Sequence, residues 1–254
     1  MLSTLASILR FAFRGLTLIG FLIFVLFPIV LFIHHNRRLG TQEGARKADR
    51  GAVRLANMLA WLFGVRVEVT GKPVEGPVFF AANHLSWLDI PDLHSASAKG
   101  LVGKAEIATR PRFSFIARAG GTIFHQRGNH DSAAGVTSLM AERLQQGRAV
   151  TIFPEGGIKP GAEVRVFHAR MFRSAVDVGC PIQPVMVRYM YAGNRDDDFA
   201  FREGESMMKN FLRVLARRGV VADLHFLPAF SAEGKPRREL AEASRAAVIG
   251  VYDS

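Results

Sequence analysis

The chain has 254 residues, 49% of them hydrophobic, so it is long enough for one substantial domain and too apolar to be disordered. Its 33 basic residues exceed its 22 acidic ones, and the net charge of +11 indicates an anionic partner: nucleic acid, an acidic membrane surface or a phosphorylated substrate. The single cysteine, Cys180, excludes an intrachain disulfide, and we expect it to be a small buried apolar residue.

The first predicted element is a membrane-spanning helix. Residues 15–33 contain no charged side chain, and at about 1.5 Å per residue a helix of this length nearly crosses a hydrocarbon core of about 30 Å. A secretory signal peptide is the alternative, because Arg10 and Arg14 precede the run. The run is followed by the sequence HHNRR and by no small-residue cleavage site, which favours an uncleaved anchor.

The topology of the anchor has two solutions. Basic residues are more frequent after the apolar run than before it, so the positive-inside rule places the rest of the chain in the cytoplasm. Pro28 could kink the helix, and the apolar stretch 55–65 could be a second, shallow segment of a hairpin in one leaflet. In both, residues 1–64 form the anchoring segment and residues 65–254 form a domain at the membrane face.

After residue 64, short apolar strands alternate with helices. Val65, Val67 and Val69 alternate as in a half-buried strand. This alternation predicts an α/β fold with a mixed, largely parallel sheet flanked by helices. The further predicted strands are 78–82, 100–103, 122–125, 149–153, 182–191 and 222–227, and the predicted helices are 91–98, 131–146, 170–178, 205–218 and 237–251.

A histidine and a carboxylate follow the strand predicted at 78–82. His84 and Asp89 lie five residues apart just beyond its carboxyl end, the edge of an open α/β sheet where ligands bind. A histidine can take the proton from an attacking hydroxyl when a carboxylate fixes its tautomer and stabilises the imidazolium. Chance produces such a spacing often enough that the pair needs support from other features.

Two other predicted strands also end beside polar residues or glycines. The strand 149–153 is followed by Glu155, Gly156 and Gly157, and the strand 122–125 by Arg127. Paired glycines let a backbone approach a ligand closely, and a guanidinium binds phosphate through two parallel hydrogen bonds. The alternative is a structural turn in one case and a surface arginine in the other.

Four sequence blocks occur in a fixed order: NHLSWLD at 83–89, GGTIFHQR at 120–127, FPEGG at 153–157 and CPIQPV at 180–185. They resemble the blocks of the glycerophospholipid acyltransferase family, in particular its bacterial 1-acylglycerol-3-phosphate acyltransferases, whose first block is NHxxxxD and third is FPEGT. The segments GKAEI at 103–107 and FHARMF at 167–172 are similar to further segments of that family. The resemblance covers residues 65–230.

The resemblance implies the glycerolipid acyltransferase fold and direct transfer of a fatty acyl group from acyl-CoA or acyl carrier protein to the free hydroxyl of 1-acyl-sn-glycerol-3-phosphate. Phosphatidic acid would be the product. His84 is then the base and Asp89 its partner, without a covalent acyl-enzyme, in keeping with the missing G-x-S-x-G motif. By the same resemblance, Arg127 contacts the acceptor phosphate, Lys104 is a weaker candidate for that contact, and Asn83, Glu155, Gly156 and Gly157 belong to the substrate site.

The chain departs from the family pattern at Gly157, Ile158 and His168, where many relatives have Thr or Ser, Arg or Ser, and Lys. Lys159, Arg165 or Arg170 could replace a missing phosphate contact. Alternatively, the acceptor is another lysolipid, such as lyso-ornithine lipid.

The sequence allows two other hypotheses about function. The first is an inactive lipid-binding protein with this fold, although intact His84 and Asp89 argue against it. Nucleic-acid binding lacks a recognisable motif, and His125 with His130 lacks the further ligands of a metal site. We therefore expect no cofactor, no metal and no nucleic acid, but lipid, a lysophospholipid acceptor and an acyl thioester, at the cytoplasmic face of a bacterial inner membrane.

Overall fold

A computed structural model shows an N-terminal helical segment followed by an α/β domain. The structure describes residues 2–96, 100, 102–104, 123–125 and 130–254, and at 2–4, 102–104, 123–125 and 130–134 it describes the backbone alone. The predicted α/β class, with a mixed and largely parallel sheet flanked by helices, is confirmed.

The N-terminal segment begins with one long helical rod. It consists of α1 (Leu2–Phe21), a π-helical stretch (Leu22–Leu26) and α2 (Phe27–Arg38). Pro28 lies in the first turn of α2, so its missing N–H falls where the wider π turn has already interrupted the regular hydrogen-bond ladder. Within this rod, Leu5–Arg38 forms a helix of 34 residues that is long and apolar enough to cross a membrane.

The rod turns back at residues 39–41 into α3 (Gln42–Leu62), and α2 packs against α3 as a helical hairpin. The Thr41 side chain caps α3 by accepting a hydrogen bond from Gly44 N at 3.0 Å. A Cβ atom on Gly51 would lie 2.9 Å from Ile33 Cγ1, so this glycine permits close helix packing. The stretch 55–65 buries Leu55 and Leu62 and exposes Trp61, so the single span and the shallow hairpin both stay predictions.

The described strands are β1 (Val65–Thr70), β2 (Phe79–Ala82), β3 (Val102–Lys104), β4 (Ile123–His125), β5 (Val150–Ile152), β6 (Pro181–Tyr191), β7 (Asn194–Arg195), β8 (Val220–Phe226) and β9 (Phe230–Ser231). The central sheet has the strand order β1-β8-β6-β2-β5, with β7 and β9 paired to β6. Strands β2, β5 and β6 are mutually parallel, whereas β8 and β1 run in the opposite direction. A separate parallel pair is formed by β3 and β4.

Helices pack against the sheet and against one another. Every residue of β2 and β5 is buried and belongs to the core, apart from the polar Thr151. The further described helices are α4 (Asp89–Ser95), α5 (His130–Gln145), α6 (Arg173–Val178), α7 (Met207–Ala216) and α8 (Arg237–Tyr252), with 3₁₀ turns at Ala169–Phe172 and Asp197–Phe199. Helix α8 packs on β6, α3 on α4, and α1 on α7.

Two sequence predictions need correction. The half-buried alternation expected at Val65, Val67 and Val69 is wrong at its end, because β1 is an edge strand and Val69 is 46% exposed. The helix predicted at 170–178 divides into a 3₁₀ turn and the short α6. Cys180 is buried, as expected. The division into 1–64 and 65–254 stays a prediction.

Candidate active site

The loop between β2 and α4 contains the first sequence block. Strand β2 stops at Ala82, opposite Val185, while its parallel neighbour β6 continues to Tyr191. Asn83 extends the pairing with its side chain: its Oδ1 accepts from Val187 N at 2.7 Å and its Nδ2 donates to Val187 O at 2.8 Å. Both backbone groups of Val187 are therefore satisfied, and the loop is fixed to the β6 extension.

The predicted pair of His84 and Asp89 is in direct contact. His84 Nδ1 lies 2.8 Å from Asp89 Oδ2, and His84 is 9% exposed while Asp89 is fully buried. The same Oδ2 accepts hydrogen bonds from Leu85 N at 2.7 Å and Ser86 N at 2.9 Å. A neutral imidazole that donates from Nδ1 keeps the Nε2 lone pair available for a proton.

A third layer of polar groups lies behind Asp89. The Tyr189 hydroxyl is 2.6 Å from Asp89 Oδ1 and 3.0 Å from Asp92 Oδ2. Asp92 is one helical turn after Asp89 in α4, and both it and Tyr189 are buried. Burial, and then the charge of Asp89, raise the pKa of Asp92 well above its usual range.

The third block borders the other side of the histidine. The ring of Phe153, directly after β5, stacks on the His84 imidazole with centroids 3.8 Å apart. Glu155 is 3% exposed, and burial raises its pKa from 4.5 to about 7, opposed by hydrogen bonds from the backbone N–H groups of His84 and Arg165. Its Oε1 has no hydrogen-bond partner among the described residues.

Glycines shape the turn that follows Glu155. Gly156 has a φ of +81° and Gly157 a φ of +130°, backbone conformations that favour glycine. A Cβ atom on Gly156 would lie 3.4 Å from the His168 ring, so the side chain of His168, in the FHARMF segment, covers this turn. The turn thus presents backbone at the same sheet edge as His84, because β2 and β5 are parallel.

Comparison with known proteins identifies the family. The family model described as acyltransferase matches residues 66–188. The lyso-ornithine lipid O-acyltransferase of Pseudomonas aeruginosa is 33% identical over 182 residues, which cover 72% of this chain and 70% of that protein. The 1-acyl-sn-glycerol-3-phosphate acyltransferase of Neisseria meningitidis is 30% identical over 143 residues, 56% of each chain. The chain belongs to the acyltransferase family.

The fold of this acyltransferase is also that of a solved relative. The crystal structure of the 1-acyl-sn-glycerophosphate acyltransferase PlsC from Thermotoga maritima matches with a TM-score of 0.72 and 17% identity, over 99% of this chain and 96% of that one. The match includes the N-terminal helical segment. The protein is an O-acyltransferase of the glycerolipid acyltransferase family, whose acceptors are lipids.

The predicted phosphate-binding residues of the acyltransferase are only partly described. Arg127 lies outside the described residues, as does the 105–107 part of the GKAEI segment. Lys104 ends β3, with its backbone opposite His125 of β4, and its side chain is outside the description. The roles expected for Lys104 and Arg127 stay predictions.

The three basic residues considered as replacements differ in their surroundings. Lys159 and Arg170 are exposed, and both lower the pKa of His168 in addition to the larger effect of its partial burial. Arg165 donates to Pro160 O at 2.9 Å and lies 3.7 Å from Glu163. The charges of Lys159 and Arg170 therefore act on His168 beside the Gly156 turn, and the charge of Arg165 acts on Glu155.

Three residues of the site were not selected from the sequence: Asp92, Phe153 and Tyr189. Phe153 stood inside the third block, but only as part of the motif. Asp92 carried a signal, since an acidic residue at the i+3 position of Asp89 shares its helix face.

In the described part of the chain, no group of three or more His, Cys, Asp or Glu side chains could hold a metal ion.

Proposed function

We propose that this acyltransferase moves a fatty acyl group from a thioester of coenzyme A or acyl carrier protein directly to the free hydroxyl of a lysolipid. The observation that carries the proposal is the buried His84–Asp89 pair, in which Nδ1 is held by a carboxylate at 2.8 Å. This leaves Nε2 as the atom that accepts the hydroxyl proton. The proposal assigns His84 as base and Asp89 as its partner.

The reaction balances without a covalent enzyme intermediate. His84 Nε2 accepts the hydroxyl proton while the acceptor oxygen attacks the thioester carbonyl carbon. The new C–O bond forms, and the imidazolium is stabilised by Asp89, whose second oxygen is itself hydrogen-bonded to Tyr189. The tetrahedral intermediate then expels the thiolate, which takes the proton back from His84. Because proton transfer and a thioester suffice, we propose no resident cofactor.

The first candidate acceptor is 1-acyl-sn-glycerol-3-phosphate, which would yield phosphatidic acid. Support comes from the order of the four blocks and from the similarity to the Neisseria meningitidis enzyme of that name. In this proposal Arg127 and Lys104 contact the phosphate, and Asn83, Glu155, Gly156 and Gly157 shape the site around the acceptor.

The second candidate acceptor is lyso-ornithine lipid. Two relatives with that substrate in their name, from Pseudomonas aeruginosa and Rhodobacter capsulatus, are 33% and 32% identical and are each covered over 70% of their length. That coverage exceeds the 56% for the Neisseria meningitidis enzyme. The altered third block, with Gly157 and Ile158, agrees with a head group that lacks a phosphate.

The proposed location is a bacterial inner membrane, with the catalytic domain on the cytoplasmic face. The apolar helix Leu5–Arg38, the basic residues that follow it and the net charge of +11 support attachment to an anionic lipid surface. We propose no nucleic-acid partner. Cell fractionation, with protease protection of the C-terminus in spheroplasts, tests both the membrane and the orientation.

The experiment that tests the function is thioester turnover by the purified full chain in detergent, with the two acceptors in parallel and acyl-CoA or acyl carrier protein as donor. His84→Ala should lower kcat by about 1000-fold or more. The chain offers a matched control, because His225 Nε2 lies 2.9 Å from Asp223 Oδ1 in a second His–Asp pair on β8. His225→Ala should keep kcat within about twofold of the unmodified protein.

Each outcome has a defined meaning. Activity on 1-acyl-sn-glycerol-3-phosphate that disappears in His84→Ala supports the first candidate. Activity confined to lyso-ornithine lipid replaces it with the second. A folded protein that turns over neither acceptor with either donor contradicts the proposed function and favours a lipid-binding role for the fold.

A further inference from the structure

A single tyrosine hydroxyl connects the two buried carboxylates of α4. Tyr189 lies in strand β6 and its side chain is buried. Its hydroxyl oxygen is 2.6 Å from Asp89 Oδ1 and 3.0 Å from Asp92 Oδ2. A phenol has one proton, so it can donate to only one of these oxygens. If both carboxylates were ionised, the phenol oxygen would face one of them without any proton between the two acceptors.

The distances and partners decide where the protons lie. Asp89 Oδ2 accepts three hydrogen bonds, one of them from His84, as expected of a charged carboxylate. The shorter contact of the hydroxyl is the one to Asp89. Asp92 Oδ1 is buried and has no hydrogen-bond partner among the described residues, so ionisation of Asp92 would leave half its charge unsolvated.

Burial and the neighbouring carboxylates also favour a protonated Asp92 and a neutral Tyr189. Burial and the neighbouring Asp89 raise the pKa of Asp92 well above its usual range, and burial and both carboxylates raise the pKa of Tyr189. The phenol therefore retains its proton for Asp89, while Asp92 retains its own for the phenol oxygen.

We propose that Tyr189 is a positioning residue, which holds Asp89 through a donated hydrogen bond while a protonated Asp92 donates to the Tyr189 oxygen from behind. The resulting chain runs from Asp92 Oδ2–H through the Tyr189 hydroxyl to Asp89 and on to His84 Nδ1. It keeps Asp89 charged and fixed under the imidazole, and it places no second negative charge beside the pair. The effect on catalysis rests on the proposed function, whereas the buried proton does not.

The consequence for the reaction is a pH dependence set by this chain. Loss of the Tyr189 hydrogen bond localises charge on Asp89, which makes the His84–Asp89 pair hold an added proton more tightly. The acid limb of the kcat/KM profile should then move to higher pH. Two further titratable groups in the described part of the chain feel the charge of Asp89: Glu155, beside the His84 backbone, and Tyr252 of α8.

Three variants separate the two parts of the proposal. Tyr189→Phe should lower kcat about tenfold with little change in KM, and should move the acid limb up by about one pH unit. Asp92→Asn keeps a donor in place of the carboxylic proton, so its kcat should fall less than that of Tyr189→Phe and the acid limb should not move. Asp92→Leu removes the donor behind the phenol but leaves the Tyr189–Asp89 hydrogen bond, so it should change kcat and the acid limb in the same direction as Tyr189→Phe but by less.

Infrared spectroscopy detects the buried proton of Asp92 and does not depend on enzymatic activity. At pH 9, where Glu155 is ionised, the protein should retain a protonated-carboxyl C=O band that disappears in Asp92→Asn and shifts in Tyr189→Phe, whose phenol oxygen is missing. Absence of the band, or an acid limb that falls in Asp92→Asn, shows that Asp92 is charged and overturns the proposal. Tyr189→Phe with an unmoved acid limb overturns the positioning role. A protein that is inactive on both acceptors contradicts the proposed function but not the hydrogen-bond chain. The carboxyl band and its shift in Tyr189→Phe test that chain without any activity.

Discussion

The imidazole of His84 lies flat on the ring of Phe153, with centroids 3.8 Å apart and planes inclined by 12°. The histidine belongs to the loop after β2 and the phenylalanine directly follows β5, so the contact joins the first and third sequence blocks across neighbouring parallel strands. Asp89 fixes one edge of the imidazole, and Phe153 fixes its face. The ring can therefore neither tilt nor rotate freely about its bond to the loop.

Replacing Phe153 should weaken this restraint without removing the His84–Asp89 pair. An aromatic pair contributes about 0.5 to 1.5 kcal/mol beyond its buried area. We expect Phe153→Leu to lower kcat between about twofold and tenfold, with KM nearly unchanged, in the thioester assay. Phe172→Leu is the matched control, since Phe172 packs on Phe79 in the core. An equal fall of kcat in both variants would mean that general loosening of the core, and not the stacking, is responsible.

Asn83 should be important for stability as well as for the loop. It forms two hydrogen bonds with Val187, and truncation leaves a buried N–H and C=O without partners. We expect Asn83→Ala to lower the free energy of unfolding by about 2 to 4 kcal/mol, measured by chemical denaturation in detergent. Asn57, which donates to Val53 O on the exposed face of α3, provides the control: Asn57→Ala should change stability by less than about 0.5 kcal/mol.

Much of the fold follows from local pattern. The strand predicted at 182–191 is β6 (Pro181–Tyr191), and the helix predicted at 237–251 is α8 (Arg237–Tyr252), because long apolar runs and helical periodicity are local signals. Strand direction is not local. The sequence could not indicate that β8 lies between β1 and β6, parallel to β1 and antiparallel to β6, since strand order depends on packing across the whole domain.

The candidate site shows the same difference between local and long-range contacts. His84 and Asp89 are five residues apart in one loop, so their contact could be predicted from the sequence. Tyr189 is 100 residues from Asp89 and lies in an apolar strand, where the sequence gives it the appearance of a core residue. From the sequence, Phe153 likewise has the pattern of the last core residue of the strand predicted at 149–153. Contacts of this kind are made by the sheet register and appear only with the structure.

Glu155 should make stability depend on pH. Burial raises its pKa from 4.5 to about 7, so the folded protein holds this proton more tightly than the unfolded chain does. Its contribution to stability is complete below about pH 4.5 and is lost as the pH rises through about 7, with a total on the order of 3 kcal/mol. Glu155→Gln should therefore lose less stability between pH 5 and pH 8 than the unmodified protein.

Thermal unfolding in detergent across this pH range measures the effect. Glu242→Gln, on the exposed surface of α8, serves as the control and should reproduce the pH dependence of the unmodified protein. If Glu155→Gln and the unmodified protein lose the same stability over that interval, Glu155 is ionised in the folded state throughout.

Gly64 and Arg14 should be coupled in stability. Gly64 has a φ of +72°, and a Cβ atom there would lie 1.9 Å from Arg14 Nη2. Arg14 Nη1 donates to Leu215 O at 3.2 Å and to Arg217 O at 2.8 Å, which fastens α1 to the end of α7. Gly64→Ala should therefore cost the left-handed strain of about 1 to 2 kcal/mol and, because the guanidinium must move, about 1 to 3 kcal/mol more.

A comparison of glycines separates the two costs. Gly234 has a φ of +70° but open space around its Cβ position, so Gly234→Ala should show the strain alone. In an Arg14→Ala background, Gly64→Ala should cost no more than Gly234→Ala does, because the side chain that it displaces is gone. Chemical unfolding of the four members of this double-mutant cycle measures the coupling. Additive effects of Arg14→Ala and Gly64→Ala would show that Arg14 keeps its hydrogen bonds when a methyl group is placed at residue 64, and would contradict the coupling.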